Sequence, residues 1–467
     1  MSAQEISNGT TASGTTASGT AASGTLEAAR GLFRFATAGS VDDGKSTLVG
    51  RLLHDSKSVL VDQLEAVART SAERGFGGDE GGLDLALLTD GLRAEREQGI
   101  TIDVAYRYFS TAERSFILAD CPGHVQYTRN MVTGAATADA VIVLIDARHG
   151  VLEQTRRHLS VVQLLRVPNV IVAVNKIDLV DYSQQVFDDI LGQLATITRE
   201  LNLSGIHAIP VSALVGDNVV QRSEHTDWYQ GPTLLELLES LPAIDELQAA
   251  DDPFRLPVQY VLRPQGALAP SVAADPAAAD SLRDYRGYLG QISSGSISVG
   301  DAVELYPGGF KTTVTGIAIA DKKVATAFAP QSVALELADQ FDLARGAVIA
   351  AAGTLSEPVN NLSGELFWLD PRPLVAGQRL LLKTGTVTTQ VIVSAIEGRR
   401  NLDTLAIDPA DKLEINDIGH ASLRLAAAVP IDDYAQNRRS GAFLLIHPQD
   451  GATLAAGIHT AQNDFAI

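Results

Sequence analysis

One cysteine in 467 residues leaves no possibility of an intramolecular disulfide. That residue, Cys121, fits the reducing cytoplasm, where thiols stay unpaired. Positive charge is also scarce: 36 Lys and Arg face 56 Asp and Glu, a formal charge of −20. This balance argues against broad adhesion to nucleic acid or to an anionic membrane, and neither is expected as a partner. Long apolar stretches are missing too. ADAVIVLIDA and VPNVIVAVNKID are interrupted by Asp or Asn within about ten residues, too short to span a bilayer. The N-terminus has neither a basic start nor a continuous apolar segment. Residues 1–30 carry a Ser/Thr/Gly/Ala repeat, SNGTTASGTTASGTAASGT, which reads as a disordered tail and not as a signal peptide or anchor.

What is present suffices for several cores, since 45% of the residues are hydrophobic and the length suits two or three domains. From 31 to 245, apolar runs of strand length alternate with amphipathic stretches of about ten to fifteen residues. That pattern predicts an α/β domain on a doubly wound, mostly parallel sheet. Strands are expected at 32–38, 115–120, 140–146, 169–174 and 206–211, each ending in a polar cluster. Ligands of such sheets sit beyond the carboxyl ends of the strands. Farther along, helical periodicity fades into short alternating runs such as GYLGQISSGSISVGDAVELYPGG and LLLKTGTVTTQVIVSAIEG, which predict antiparallel β structure. A break near 352–363 divides this region into two small β-barrels, at 250–352 and 357–467. The Ala/Pro/Asp stretch at 267–280, ALAPSVAADPAAAD, is expected as an exposed loop of the first barrel.

Residues 39–46, GSVDDGKS, match G-x-x-x-x-G-K-[ST] between the first expected strand and the helical stretch STLVGRLL. Gly39, Ser40, Val41, Asp42, Asp43 and Gly44 form a loop whose backbone N–H groups can converge on phosphate oxygens. Lys45 reaches the β and γ phosphates, Ser46 offers its hydroxyl to Mg²⁺, and Thr47 follows in the first helical turn. The motif therefore marks a P-loop.

A phosphate cradle does not select the base, and AVNKIDLVD supplies that second signal. Asn175 and Asp178 are the expected base readers. A carboxylate at Asp178 can accept from the ring N–H and the exocyclic amine of guanine, a donor pair that adenine lacks on that edge. Leaving such a carboxylate buried and unsatisfied costs about 1–3 kcal/mol or more, which is enough for large discrimination. The Lys176 stem can lie along the base plane. In PVSALVGDN, the backbone of Ser212, Ala213 and Leu214 is expected near the guanine oxygen. Together these point to GTP.

ILADCPGHVQYTRNM lies between the two signals. Asp120, at a strand end, is expected to hold Mg²⁺ through water, with Cys121 and Pro122 continuing toward the γ phosphate. Gly123 can approach that phosphate closely, and His124 is the candidate for positioning the attacking water. Upstream, Thr101 in REQGITIDVAYRYF can close over Mg²⁺ only while the γ phosphate is present. Lys45, Thr101, Gly123 and His124 are thus the catalytic candidates.

These segments in this order, followed by two barrel-like regions, resemble the translational GTPases of the elongation factor Tu and 1-alpha class. GSVDDGKSTLVGRLLHDS, LTDGLRAEREQGITIDVAYRYFST, DCPGHVQYTRNMVTGAATADAVIVLIDARHGVLEQTRRH and WYQGPTLLELLE bear a closer resemblance to the large, GTP-binding subunit of bacterial sulfate adenylyltransferase. That family has Asp in the slot of Asp43, where elongation factors typically have His; its phrase TPGH is CPGH here. The resemblance implies a GTPase bound to a small catalytic subunit, with GTP hydrolysis coupled to formation of adenosine 5′-phosphosulfate and pyrophosphate from ATP and sulfate. Some relatives carry a fused adenosine-phosphosulfate kinase domain, which is not expected here. No second G-x-x-x-x-G-K-[ST] and no S-G-G-x-D-S-type loop occurs, so adenylyl transfer is expected on another polypeptide. The alternatives are a translation elongation factor-like GTPase, or a GTPase whose barrels serve only as an interaction module.

Overall fold

The computed structural model describes residues 31–59, 61–73, 83–88, 104–122, 128–203, 205–244, 252–264, 267–320, 322–402, 404 and 406–460. The N-terminal tail lies outside these residues, as do Thr101, Gly123 and His124.

Six strands form the first sheet: β1 (Phe33–Ala38), β2 (Ala105–Ser110), β3 (Ser115–Asp120), β4 (Ala140–Asp146), β5 (Asn169–Asn175) and β6 (Ile206–Pro210). Their order is β2-β3-β1-β4-β5-β6, and every pairing is parallel except that of β2 with β3. Every residue of β4 and β5 is buried. Burial of both sheet faces is what demands their unbroken apolar runs. Helices α1 (Lys45–Asp55), α2 (Val61–Glu73), α3 (Thr128–Ala135), α4 (Glu153–Leu164), α5 (Gln184–Glu200) and α6 (Leu234–Ser240) complete the domain. Leu48, Leu52, Leu234 and Leu238 of α1 and α6 pack in one core, while Met131, Leu159, Ile190 and Leu194 of α3, α4 and α5 pack in another. The order in which strands are added reverses at β1, which lies between β3 and β4 and runs parallel to both. This is the switch point where an open α/β sheet leaves a crevice at its carboxyl edge.

Eight antiparallel strands, from Arg255–Pro257 to Val348–Ala351, make the second sheet, and a bridge between Arg255 and Ser294 brings its ends together. The third sheet runs from Val359–Trp368 to Thr453–His459. Its strand Arg379–Thr384 pairs with both Val387–Arg400 and Ala442–Ile446, which closes the ring. The stretch expected as a loop at 267–280 is largely exposed but helical, with short helices at Pro270–Ala273 and Pro276–Arg283. Its alanines carry the lowest helical cost, and both helices open on proline, whose missing N–H costs nothing there.

The third sheet is bound to the first domain by a shared core. Phe367, Ile418, Tyr434 and Ile458 belong to the cluster that contains Met131 and Leu159. Tyr434 Oη donates to the Leu165 carbonyl at 2.9 Å, and Ser160 Oγ donates to that of Leu402 at 3.2 Å. Among the described residues no helix is long and apolar enough to cross a membrane.

Candidate functional site

At the carboxyl end of β1 the chain turns through Gly39–Gly44 into α1. Gly44 is in the left-handed region at φ +91°, and a Cβ there would come within 2.4 Å of Asn175 Nδ2. Both facts demand glycine at this position. The loop is closed on itself. Lys45 Nζ donates to the carbonyls of Gly39 at 2.9 Å and Ser40 at 2.7 Å, while Ser40 N donates to Asp43 Oδ2 at 2.5 Å. Burial pushes the Asp43 carboxyl upward in pKa, opposed by the Ser40 N–H and Lys45. Burial pushes the Lys45 ammonium downward, opposed by Asp120 and Asp43. Ser46 and Thr47 are half-buried on the first turn of α1, while Val41 and Asp42 are exposed.

Asn175 ties this loop to the far side of the crevice. Its Nδ2 donates to the Asp43 carbonyl at 2.7 Å, and its Oδ1 accepts from Ala213 N at 2.9 Å. Lys176 Nζ donates to the Asp42 carbonyl at 2.5 Å and pairs with Asp146 Oδ2 at 2.9 Å. Burial opposes the charge on Asp146, but hydrogen bonds from Arg148 and Lys176 prevail and hold its pKa well below the carboxylate range. Asp178, half-buried at the start of the 3₁₀ turn Ile177–Val180, makes no side-chain hydrogen bond or ion pair with the described residues. Ser212 N donates to the Asp217 carbonyl at 3.2 Å. Arg51 braces the same loop through the carbonyls of Ala213 and Leu214.

Asp120 ends β3, buried, with Thr37 Oγ1 donating to its Oδ1 at 2.7 Å. Cys121 and Pro122 follow, both buried. The Cys121 thiol faces the core, where a Cβ on Gly134 of α3 would lie 2.6 Å from its Sγ. Burial, reinforced by Asp120, drives its pKa far up, so it stays a thiol.

The structure thus gathers Gly39–Thr47, Asp120, Asn175, Lys176, Asp178 and Ser212–Leu214 around one crevice at the carboxyl edge of the sheet. Three contributors have no motif. Thr37 is in register with Asp120, Asp146 is in register with Asn175, and Arg51 is on the second turn of α1. A polar residue at a strand's carboxyl end was the available signal for Asp146; Thr37 and Arg51 have none.

Residues 31–246 match the family model described as Elongation factor Tu GTP binding domain, and residues 361–460 the one described as GTP-eEF1A C-terminal domain-like. Over 427 residues the chain is 48% identical to sulfate adenylyltransferase subunit 1 of Methylorubrum populi, covering 91% of this chain and 86% of that protein. The protein of the same name from Saccharophagus degradans is 44% identical over the same shares, 91% and 86%. The bifunctional enzyme NodQ of Rhizobium meliloti is 44% identical over 431 residues, 92% of this chain and 64% of that protein.

Proposed function

The chain belongs to the sulfate adenylyltransferase subunit 1 family and carries an elongation factor Tu-type GTPase domain, and from that premise we propose its working partner and cycle. It binds a small catalytic subunit in the cytoplasm, and GTP hydrolysis here drives formation of adenosine 5′-phosphosulfate and pyrophosphate from ATP and sulfate there. The observation that carries the guanine half of this reading is Asp178, a carboxylate without a hydrogen-bonding partner among the described residues, beside a loop that Asn175 and Lys176 lock to the phosphate cradle. Guanine supplies the two donors that it lacks.

In this reading Lys45 leaves the Gly39 and Ser40 carbonyls for the β and γ phosphates, and Ser40 N leaves Asp43 for a phosphate oxygen. The Ser46 hydroxyl and the Asp120 carboxylate are hard oxygen donors at the phosphate end of the crevice, a set suited to Mg²⁺. When bound, that ion neutralises charge on the β and γ oxygens. Thr101 closes over the site, Gly123 N–H meets the γ phosphate, and His124 holds the attacking water. Ser212 N and Ala213 N are engaged by the Asp217 carbonyl and Asn175 Oδ1, so in this reading the Leu214 N–H is the donor of this loop that meets the guanine oxygen.

The test is a pyrophosphate-release and labelled-sulfate assay on this chain alone and mixed with the small subunit of a related enzyme. Alone, the chain is expected to hydrolyse GTP slowly and to make no adenosine 5′-phosphosulfate. The mixture should make it, and His124→Ala should slow single-turnover GTP hydrolysis by about 10²-fold while leaving GTP affinity nearly intact. Product from the chain alone, or a mixture indifferent to GTP, would overturn the two-subunit cycle.

A further inference from the structure

The turn that carries Asp178 has an uncommon backbone. Lys176, Asp181 and Tyr182 lie in the left-handed region, at φ +61°, +52° and +53°, which residues with a side chain seldom adopt. Such conformations persist where surrounding contacts over-determine them. At Tyr182 those contacts come from several segments. Its N–H donates to the Ile177 carbonyl at 2.9 Å, its carbonyl accepts from Trp228 Nε1 at 3.0 Å, and its ring centroid lies 4.7 Å from that of His225. The half-buried side chain then reaches out of its own turn, and Oη donates to Asp217 Oδ2 at 2.9 Å. Burial, reinforced by that bond, pushes the phenol up to about 12, and Asp178 is near enough to add to the push. At neutral pH the hydroxyl is therefore a donor.

Asp217 closes the base loop. Its carbonyl accepts from Ser212 N, Gly216 N donates to the Ser212 carbonyl at 2.7 Å, and Val215 N donates to Ser212 Oγ at 3.2 Å, so residues 212–217 hold together as one unit. Two side chains fix that unit in place. Asn175 joins it to the phosphate loop through Ala213 N and the Asp43 carbonyl, whereas Tyr182 joins it to the turn that carries Asp178. A base read by the Asp178 carboxylate and by the Leu214 N–H satisfies both only while turn and loop keep one separation. Asn175 does not set that separation alone.

We propose that Tyr182 and Asp217 are a positioning pair that fixes the spacing between Asp178 and the Leu214 N–H, and thereby sets the preference for guanine. The inference rests on Asp178 reading the base, as proposed above. Both residues act through the segments they join.

The test is a displacement titration with fluorescent GDP, in which GDP and inosine 5′-diphosphate are compared as competitors. Inosine keeps the ring N–H and the oxygen but lacks the exocyclic amine, so the ratio of the two dissociation constants reports how well the edge of the base is aligned on Asp178. The native chain should prefer GDP by at least about tenfold, the worth of one hydrogen bond to a charged group. Tyr182→Phe keeps the ring and both backbone bonds, and should cut that preference by at least about threefold. Asp217→Ala should do the same, and the double variant should lose no more than either single one. A pair that served only folding would weaken both nucleotides alike and leave the ratio unchanged. Asp178→Asn, measured alongside with xanthosine 5′-diphosphate, separates the two claims. If it does not turn the chain toward xanthosine, the base reading falls and this inference falls with it. If it does, while the ratio stays native in Tyr182→Phe and Asp217→Ala or their losses add in the double variant, the positioning pair alone is overturned.

Discussion

Asn175→Ala separates holding the site together from reading the base. The Asn175 amide bridges the Asp43 carbonyl at 2.7 Å and Ala213 N at 2.9 Å, with the residue itself fully buried. Alanine removes both bonds and leaves a backbone acceptor and a backbone donor facing a gap. Each orphaned group costs about 1–3 kcal/mol, and water entering the gap brings both toward the lower end. A total of about 2–4 kcal/mol corresponds to a fall in nucleotide affinity of about 30-fold to about 1,000-fold. The sheet cores do not depend on these bonds, so the loss should appear in binding more than in global unfolding. It should also be indifferent to the base, because what is lost is the spacing between phosphate loop and base loop. The assay is a displacement titration with fluorescent GDP, repeated with guanosine, inosine and xanthosine diphosphates. A loss confined to guanosine, or one below about threefold, would refute the bridging role.

Asp178→Asn should act oppositely: GTP affinity is predicted to fall at least about tenfold while xanthosine triphosphate gains, because the amide donates where guanine also donates; unchanged GTP binding would remove Asp178 from the site. Tyr434→Phe deletes the hydroxyl on the Leu165 carbonyl and is predicted to cost about 0.5–1.5 kcal/mol in urea unfolding, or more if that carbonyl stays dry; native stability would show the contact to be idle. Burial, with Lys45 adding, drives the pKa of His158 on α4 down to about 3 from 6.5. A depressed histidine stabilises while neutral, so its contribution is complete above pH 6.5 and is lost as pH falls toward 3. His158→Gln is therefore predicted to flatten the acid limb of the stability profile by up to about 1.4 kcal/mol per pH unit, and an identical acid limb would refute this.

The parallel sheet was legible because strands buried on both faces cannot interrupt their apolar runs: Ala140–Asp146 and Asn169–Asn175 declare themselves. The edge strand Ala105–Ser110 was harder. Its residues alternate, with Tyr106 and Tyr108 outward and Phe109 inward, in a stretch that the nucleotide motifs had already claimed. The residues of the P-loop and of NKID could be named because glycine spacing and charge carry their chemistry locally. Thr37 on Asp120 and Asp146 on Lys176 could not, since each pair joins different strands and depends on register. The same holds for Tyr434 and Leu165, 269 residues apart, with nothing periodic in DDYAQNRRS to suggest a contact. At 270–283 local propensity prevailed where Pro and Asp had suggested a loop.

The carboxylate of Asp43 sits on Ser40 N, an amide that an incoming phosphate would claim. In the proposed cycle, nucleotide departure from such a cradle would be a substitution of one anion for another, with that amide passing from phosphate to carboxylate. Affinity is then a difference between two occupants. The internal competitor is tethered and always present, so it takes part in every release and does not diffuse away. If the nucleotide binds as proposed, a loop built this way is expected to trade tightness for turnover, because its own side chain would shorten the climb out of the bound state.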